Sequence, residues 1–407
     1  MSGSDGPAGR LRIQLWSFHY EPEPMGIGPI AAVLARELAA RGHSVEVVAA
    51  HPHYPEPRWG IRKRPYRERR NGIAVTRVPL WPGREALGQR LRQEATFTPS
   101  LAATAPLLGR PDVAVVVSPS FPGLLPAMMN ARARRVPWVL WLQDILPDGA
   151  AVTGLMDSDR LAMRLARRLE RAAYRSAAKI VVISDTFRRN LESKGVPPDR
   201  IATLLNPASA PLQPAPRDPS SIDHRLTLSM GNIGHSQNLE AVVGALESSD
   251  ELEEIGARLC VVGDGVRAGE VRAAISTGRT EALGVVDRSR LESLLGRTAL
   301  GLVTQKPRDN DFNVPSKLMN FMGAGVPVMA SVDADSEVAH IIRRSGGGWV
   351  TDSARLEQEL APTLAAALAD PEERERRGAA GLAFAREQFG PDKFATRFEA
   401  VLRKAVP

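Results

Sequence analysis

The chain has 407 residues, which is too long for one ordinary hydrophobic core and predicts two domains of roughly 200 residues. Hydrophobic residues make up 43% and charged residues 24%, as in a water-soluble globular protein, and the formal net charge is +7. The single cysteine, Cys260, excludes a disulfide within the chain and favours a reducing compartment.

The sequence shows no targeting segment. Its start, MSGSDGPAGR, lacks the apolar stretch of a signal peptide, and no apolar run of about 18 residues occurs. A cytoplasmic protein is therefore expected, or one that touches the inner face of a membrane only peripherally.

Basic residues are concentrated in the first half of the chain. Residues 1–210 hold 30 Lys and Arg against 18 Asp and Glu, whereas the remainder holds 23 against 28. Much of this charge lies in RKRPYRERR (62–70) and in a predicted helix over residues 160–175. Arginines at helical spacing form one stripe of that helix: Arg160, Arg164, Arg167, Arg171 and Arg175. Leucines form another face: Leu161, Leu165 and Leu169. The stripe is either a solvated surface or a contact for anionic lipid or an anionic acceptor. Few aromatic residues interleave with the arginines, so no nucleic acid is expected.

Short apolar runs alternate with helical patterns along most of the chain, as in parallel sheets with crossover helices. In the first half, strands are predicted at LRIQLWSF, SVEVVAA, IAVTRVP, VAVVVS, PWVLWLQ, KIVVIS and IATLLN. After a proline-rich stretch, NPASAPLQPAPRDPSS, further strands are predicted at LTLSMGNIG, ARLCVVG, TEALG, LGLVTQ and VPVMAS. The pattern predicts two doubly wound, Rossmann-like α/β domains that face each other across a cleft.

A glycine-containing turn and a helix follow the first predicted strand. Gly26, Gly28 and Ala31 fit the dinucleotide pattern G-x-G-x-x-G/A. However, the stretch HYEPEPM separates Phe18 from Gly26, and the second strand ends without the acidic residue that would hold a ribose. The interpretation as a nicotinamide or flavin enzyme therefore rests on the glycine pattern alone. The remaining interpretations are a glycine loop that binds an anion at a helix N-terminus and an ordinary strand-to-helix turn.

Seven motifs follow one another along nearly the whole chain. They are GIGP with LAARGHSVEVVA, SPSFPGLLPA, WLQDILPD, VISDTFRRNLESKGVPPDRI, GNIGHSQNLE, VVGDG and PSKLMNFMGAGVPVMA. In this order they resemble retaining glycosyltransferase family 4, in particular the bacterial fucosyl- and fucosamine-type transferases of exopolysaccharide and O-antigen assembly. The resemblance implies a GT-B fold with an acceptor-side domain at 1–206, a sugar-nucleotide domain at 207–390, and a final helix, 391–407, that packs back on the first domain.

Transfer from a nucleotide sugar releases a nucleoside diphosphate, whose stabilisation is the main electrostatic task. Glycine loops could supply backbone donors from both domains: Gly26 and Gly28, and Gly231 and Gly234. Lys317 is expected to add a full charge, with Lys306 and Arg308 behind it; the alternative is an ordinary first-turn surface lysine. The resemblance also implies that further residues bind the nucleotide sugar: Asn232, His235, Val285, Val286, Pro315, Ser316 and Asn320. The base is expected near Val285 and Val286.

The sequence departs from the family pattern at several positions. Asn232 and Gln237 stand where the family commonly has an arginine and a lysine, Phe312 and Asn320 replace paired glutamates, and Gln143 replaces a histidine. Asn320 could still hold the ribose as a neutral hydrogen-bonding group. We interpret these changes as specific to the branch; the alternative is a catalytically silent sugar-nucleotide-binding relative that acts as a partner subunit.

Three first-domain residues are candidates for catalysis: His19, Gln143 and Asp144. Asp144 follows a central strand, where it could orient the acceptor hydroxyl or cap a helix. His19 and His235 are expected to point into the cleft, or else are polar loop residues. The expected reaction is retaining transfer of a hexose or deoxyhexose from a UDP- or GDP-sugar to a lipid-linked glycan or a small-molecule acceptor. No cofactor or metal is expected, because no clustered ligand spacing appears and the resemblance implies none.

Overall fold

The computed structural model describes residues 9–23, 27–53, 59–60, 62–83, 87–118, 121–143, 160–208, 219–307 and 314–407. The chain divides into two compact units. Unit 1 comprises Met1–Ser209 and Pro391–Pro407, and unit 2 comprises Ala210–Gly390. Within the described ranges, none of the helices combines the length and the apolar character that a membrane crossing requires.

Unit 1 is built on an eight-stranded sheet. Its strands are β1 (Arg12–Ser17), β2 (Ser44–Ala50), β3 (Tyr66–Arg70), β4 (Ile73–Val78), β5 (Val113–Ser118), β6 (Trp138–Leu142), β7 (Lys179–Val182) and β8 (Ile201–Thr203). They lie in the order β3, β4, β2, β1, β5, β6, β7, β8, and of the described strands only β3 runs antiparallel to its neighbour. Since the chain winds outward from β1 in both directions, a crevice forms at the carboxyl end of β1.

Within the described ranges, five helices of unit 1 connect these strands. They are α1 (Gly28–Ala40), α2 (Leu87–Thr104), α3 (Phe121–Arg134), α4 (Arg160–Ser176) and α5 (Asp185–Ser193). Every residue of β5 and β6 is buried. Helices therefore cover both faces of the central strands, which explains their nearly continuous apolar sequences.

Unit 2 is built on a six-stranded parallel sheet. Its strands are β9 (Asp223–Met230), β10 (Arg258–Val262), β11 (Thr280–Gly284), β12 (Thr298–Thr304), β13 (Val328–Val332) and β14 (Gly348–Asp352), in the order β11, β10, β9, β12, β13, β14. Its helices are α6 (Leu239–Glu247), α7 (Asp250–Glu254), α8 (Ala268–Ala273), α9 (Arg288–Arg297), α10 (Ser316–Gly323), α11 (Glu337–Ser345), α12 (Leu356–Ala369) and α13 (Pro371–Gln388). The strand order reverses at β9, with β10 on one side and β12 on the other.

The final helix, α14 (Pro391–Ala405), belongs to unit 1. Phe394, Phe398 and Leu402 are at most 1% exposed and lie in the core of that unit. The indole of Trp141, from β6, contacts the rings of Phe394 and Phe398 at centroid distances of 5.7 and 5.2 Å. Residues distant in sequence thus complete one hydrophobic core.

All twelve strands predicted from the apolar runs are present, and the two-domain, Rossmann-like α/β class is confirmed. Two further strands, β3 and β14, were not predicted. β3 carries the sequence YRERR, which shows no apolar run, and it lies at an edge of the sheet. Charged residues are common on edge strands because they discourage pairing with other chains.

Candidate functional site

The carboxyl ends of β9 and β12 adjoin in unit 2, at the point where the strand order reverses. Open α/β sheets bind ligands at this kind of position. Two segments meet there: the loop 231–238, which follows β9, and the start of α10. We call this region the unit 2 crevice.

Glycines hold the loops that follow β9 and β10 against each other. Gly263 has φ +136°, and a Cβ on it would lie 1.9 Å from the carbonyl oxygen of Gly231. Gly265 has φ +159°, and a Cβ there would lie 2.3 Å from the carbonyl oxygen of Ile233. A side chain at either position would therefore force the two loops apart. The VVGDG motif shapes the wall of the crevice through its backbone.

Lys317 lies in the first turn of α10 and is only 6% exposed. Its Nζ donates a hydrogen bond to Oε1 of Gln237 at 2.8 Å. An ammonium group has three donors, and within the described part of the chain no carboxylate pairs with this one. Burial lowers the pKa of Lys317 to about 8. The structure therefore excludes the interpretation of Lys317 as an ordinary surface lysine.

The orientation of Gln237 is fixed by a second hydrogen bond. Its Nε2 donates to the carbonyl oxygen of Asn232 at 2.5 Å, which leaves Oε1 facing Lys317. The backbone N–H of Lys306 donates to the carbonyl oxygen of Ser236 at 2.8 Å and joins the end of β12 to the same loop. These contacts make the crevice a pre-formed site rather than two independent loops.

Glu240 and Arg267 form an ion pair at 2.5 Å beside the loop 231–238. Burial raises the pKa of the Glu240 carboxyl, but the hydrogen bond from Arg267 and the positive charge of Lys306 outweigh burial, so the pKa lies below its usual value. Because Glu240 is ionised, it neutralises part of the positive charge near the crevice. Lys317, by contrast, has a neutral amide, that of Gln237, as its described hydrogen-bond partner.

The other predicted nucleotide-binding residues of unit 2 lie around the crevice or on loops at the same edge of the sheet. Gly231, Asn232, Gly234 and His235 lie on the loop after β9; Pro315, Ser316 and Asn320 lie at the start of α10; Val285 and Val286 directly follow β11. Val285 is 79% exposed, which is unusual for a valine. β11 lies two strands from β9, so about 10 Å separates the two strand ends. Contact of these residues with a ligand stays a prediction.

The structure provides structural partners for two of the predicted unit 1 residues. Gly28 is buried, and a Cβ on it would lie 3.3 Å from the backbone nitrogen of Tyr20, so close packing accounts for this glycine. Gln143 follows β6, and its amide exchanges hydrogen bonds with that of Asn206, at 2.7 and 3.2 Å. Gly26 and Asp144 lie outside the described residues, as do Arg308 and Phe312.

His19 follows β1 in the crevice of unit 1. Its Nδ1 lies 2.8 Å from Oε2 of Glu23, and Oε1 of Glu23 accepts a hydrogen bond from the backbone N–H of His53 at 2.9 Å. These three side chains bring potential metal-ligand atoms within 4.8 Å of one another. The imidazole rings of His19 and His53 are stacked, however, with an interplanar angle of 26°. Their in-plane lone pairs therefore do not converge on one point, which argues against a shared metal.

Comparison with known proteins shows what kind of protein has this architecture. The family model described as a glycosyl transferase 4-like domain matches residues 25–207. The expected resemblance to family 4 and the GT-B fold are thereby confirmed.

Two curated proteins resemble this chain in sequence. WcaI of Escherichia coli K12, named as a glycosyl transferase of colanic acid biosynthesis, is 26% identical over 358 residues, which cover 81% of this chain and 86% of WcaI. WbjE of Pseudomonas aeruginosa, named as a glycosyltransferase, is 28% identical over 223 residues, or 52% of this chain and 55% of WbjE. Both are relatives by sequence.

Solved structures of more distant proteins share the fold of this chain. Anabaena HepE, solved in complex with UDP and glucose, has a TM-score of 0.68 and 16% identity, covering 97% of this chain and 100% of HepE. Sucrose-phosphate synthase from Thermosynechococcus elongatus has a TM-score of 0.71 and 17% identity, covering 97% of this chain and 98% of the other. At such identities the likeness concerns the fold alone.

Sequence reasoning did not predict the side chains that contact Lys317 and His19. It named Gln237 only as a substituted position and did not consider Glu23 or His53. The motif HYEPE contains His19 and Glu23 at i, i+4 spacing, which was the available signal. His53 lies on another strand end, and no local pattern relates it to His19.

Proposed function

We propose that this chain is a glycosyltransferase that moves a hexose or deoxyhexose, with retention, from a UDP- or GDP-sugar to a lipid-linked glycan or a small-molecule acceptor. The observation that carries this proposal is Lys317: a buried ammonium group beside a glycine-shaped loop, at the strand-order reversal of unit 2, with a single described hydrogen bond. A diphosphate would supply the missing acceptors and the opposite charge.

Several features support a nucleotide sugar as the donor. The first turn of α10 has no side-chain cap, so its N–H groups favour an anion. Val285, which is exposed, and Val286, which is half-buried, offer an apolar rim for a base at the edge of the same sheet. HepE, which shares the fold, was solved with UDP-glucose. We further propose that no metal or other cofactor is needed, because Lys317 and the backbone donors would balance the charge of the leaving diphosphate.

A thermal-shift panel of UDP, GDP, TDP and ADP tests the donor. We expect UDP or GDP to raise the melting temperature of the wild-type chain, because ligands that bind only the folded state stabilise it. Lys317→Met should lose most of this shift and still fold. Should none of the four nucleotides shift the melting temperature, the proposed donor class is wrong. Nucleotide binding without any slow hydrolysis of the matching sugar nucleotide would instead indicate a catalytically silent relative.

We propose that the exposed surface of α3 and α4 contacts an anionic membrane and brings the enzyme to a lipid-linked acceptor. Leu165 is 54% exposed and Met129 63% exposed, so this surface is partly apolar. Several arginines of α4 are also exposed: Arg164, Arg167, Arg168, Arg171 and Arg175. Apolar side chains surrounded by basic ones favour anionic interfaces.

Co-sedimentation with phosphatidylglycerol vesicles tests this contact. Each basic residue near an anionic surface contributes about 1 kcal/mol, so the double variant Arg167→Glu and Arg171→Glu should bind about tenfold more weakly or worse. Arg288→Glu, on the surface of unit 2, is the matched control and should bind like the wild type. Equal binding of the wild type to neutral phosphatidylcholine vesicles would contradict the proposal.

A further inference from the structure

One hydrogen bond joins two separate segments of unit 2 at the unit 2 crevice. Gln237 lies near the end of the loop 231–238, and Lys317 lies in the first turn of α10. Oε1 of Gln237 accepts a hydrogen bond from Nζ of Lys317 at 2.8 Å, and its Nε2 donates to the carbonyl oxygen of Asn232. An amide carries its acceptor and its donors on different atoms, so the bond to Asn232 decides which atom faces the ammonium. Gln237 therefore presents an acceptor to Lys317.

The described partner of Lys317 carries no charge. Two other cations of the chain that are at least partly buried are paired with carboxylates instead. Arg77 lies 2.8 Å from a carboxylate oxygen of Glu68, and Arg267 forms its ion pair with Glu240. A carboxylate neutralises a cation, whereas an amide oxygen only accepts a hydrogen bond from it. The positive charge of Lys317 is thus left for a further group.

The surroundings of Lys317 disfavour its charge but do not neutralise it. Burial is the cause of the lowered pKa of about 8. α13, which also packs on α10, reaches the opposite end of that helix, where Gly381 lies against Met322. Within the described ranges, no ion pair joins Lys317 to the charged side chains of α6, α8, the end of β12, the loop 231–238 or the loop after β13: Glu240, Arg267, Lys306, His235, Asp333 and Asp335.

We propose that Gln237 is a positioning residue that holds the ammonium of Lys317 in the crevice without neutralising it, so that the charge remains for the phosphate group of a ligand. This inference rests on the proposed function, in which Lys317 contacts the diphosphate. A carboxylate at position 237 would hold the same ammonium more strongly, but it would also repel the phosphates. An apolar side chain would leave the ammonium without its described acceptor, which disfavours the charged form. The neutral amide avoids both effects.

The arrangement couples ligand binding to a proton. Since the pKa of Lys317 is about 8, about half of the free protein carries this charge at pH 8. A bound diphosphate favours the ammonium, so binding at pH 8 takes up about half a proton per nucleotide. At about pH 6.5 the ammonium is already formed, and Lys317 takes up almost no proton.

NMR of the full chain with ε-¹³C-labelled lysine tests the role of Gln237 without any ligand, and Lys317→Met assigns the signal. Gln237→Glu should raise the pKa of Lys317 by about one pH unit or more, because an adjacent opposite charge favours the ammonium. Gln237→Met should lower this pKa, because the ammonium loses its described acceptor. Both variants lose the bond to Asn232, so a purely structural role would shift the pKa in the same direction in both. An unchanged pKa in either variant, or two shifts in the same direction, would overturn the proposal.

Gln358→Glu is the matched control, because it adds the same charge to the exposed first turn of α12 in unit 2. Oε1 of Gln358 accepts a hydrogen bond from Nε of the neighbouring Arg355 at 3.4 Å. This variant should leave the pKa of Lys317 and the affinity for ligands as in the wild type. If its effect equalled that of Gln237→Glu, the added charge would act at long range and not through the contact at position 237, and the proposal would be wrong.

Isothermal titration calorimetry tests the consequence for ligands, with UDP, GDP and inorganic pyrophosphate as probes. At pH 7, Gln237→Glu should bind pyrophosphate, and whichever nucleotide the wild type binds, at least about tenfold more weakly, because the added carboxylate neutralises Lys317 and repels the phosphates. Titrations of the nucleotide at pH 8, in buffers of different ionisation enthalpy, measure the proton. We expect an uptake of about half a proton in the wild type and almost none in Gln237→Glu.

The outcomes separate this inference from the proposed function. Wild-type nucleotide affinity in Gln237→Glu, or nucleotide binding to the wild type without proton uptake at pH 8, would contradict the inference and leave the proposed function standing. If the wild type bound pyrophosphate but neither UDP nor GDP, the proposed donor would be wrong, and the inference would stand for a phosphate ligand of another kind. If the wild type bound none of the three probes, both would be wrong.

Discussion

Lys317→Ala is expected to lower turnover about 10²-fold or more while the protein stays folded, a loss of roughly 3 kcal/mol of transition-state stabilisation. The leaving diphosphate gains charge as the glycosidic bond breaks, so a charge-assisted hydrogen bond from a buried ammonium strengthens in the transition state. Donor hydrolysis at saturating donor measures the effect. Lys317→Met, which keeps most of the buried volume, should give the same loss and exclude unfolding as its cause.

Lys306→Ala serves as the milder comparison, because its described contact in the crevice is made by the backbone. If Lys317→Ala keeps more than about a third of wild-type turnover, the diphosphate is held by the backbone donors of the glycine loops alone.

Lys317→Ala is also expected to remove the pH dependence of nucleotide binding. The pKa of Lys317 is about 8, so the free enzyme loses this charge as the pH rises through that value. Wild-type affinity for the nucleoside diphosphate should therefore fall by up to about tenfold per pH unit above 8, and that of Lys317→Ala should not.

Truncation after Gly390 is expected to unfold unit 1 at temperatures at which the full chain is stable. α14 buries four large apolar side chains in the core of that unit: Phe394, Phe398, Val401 and Leu402. Each contributes about 1.5 to 3 kcal/mol on burial. Their sum is comparable with the whole stability of a domain, about 5 to 15 kcal/mol. Thermal melting followed by tryptophan fluorescence reports the loss, because Trp141 contacts this helix.

Single substitutions distinguish the loss of packing by α14 from the mere shortening of the chain. Phe398→Ala should cost about 3 to 5 kcal/mol, since it leaves a cavity beside Trp141. Lys404→Ala, on the exposed face of the same helix, should melt like the wild type. If the truncated chain melted at the wild-type temperature, α14 would not be part of the core of unit 1.

Much of the fold could be predicted because the strands of parallel sheets are buried on both faces. Runs such as VAVVVS and WVLWL are apolar at every position and therefore visible in the sequence. β3 has no such run, because an edge strand can alternate exposed arginines with half-buried residues. The pattern that identifies central strands cannot detect an edge of this kind.

The candidate site could be predicted only in part. The position of Lys317 at a helix start was readable, because PSK precedes a helical pattern. Its hydrogen bond was not, because the partner, Gln237, lies 80 residues earlier in the chain. The same holds for Glu23, whose contact with the backbone of His53 spans 30 residues. Local periodicity carries no information about such contacts, which arise only when the ends of separate strands are brought together.

The position of α14 in the core of unit 1 also constrains the order of events during synthesis. The ribosome makes the strands of unit 1 first, then the whole of unit 2, and only afterwards the helix that completes the first core. Unit 2 is one continuous segment and can fold as soon as it emerges. Unit 1 must wait, with the surface around Trp141 uncovered, for about 180 further residues, or roughly 10 to 40 seconds at bacterial and eukaryotic rates of elongation. During that interval the nascent chain exposes an apolar surface that a chaperone would recognise.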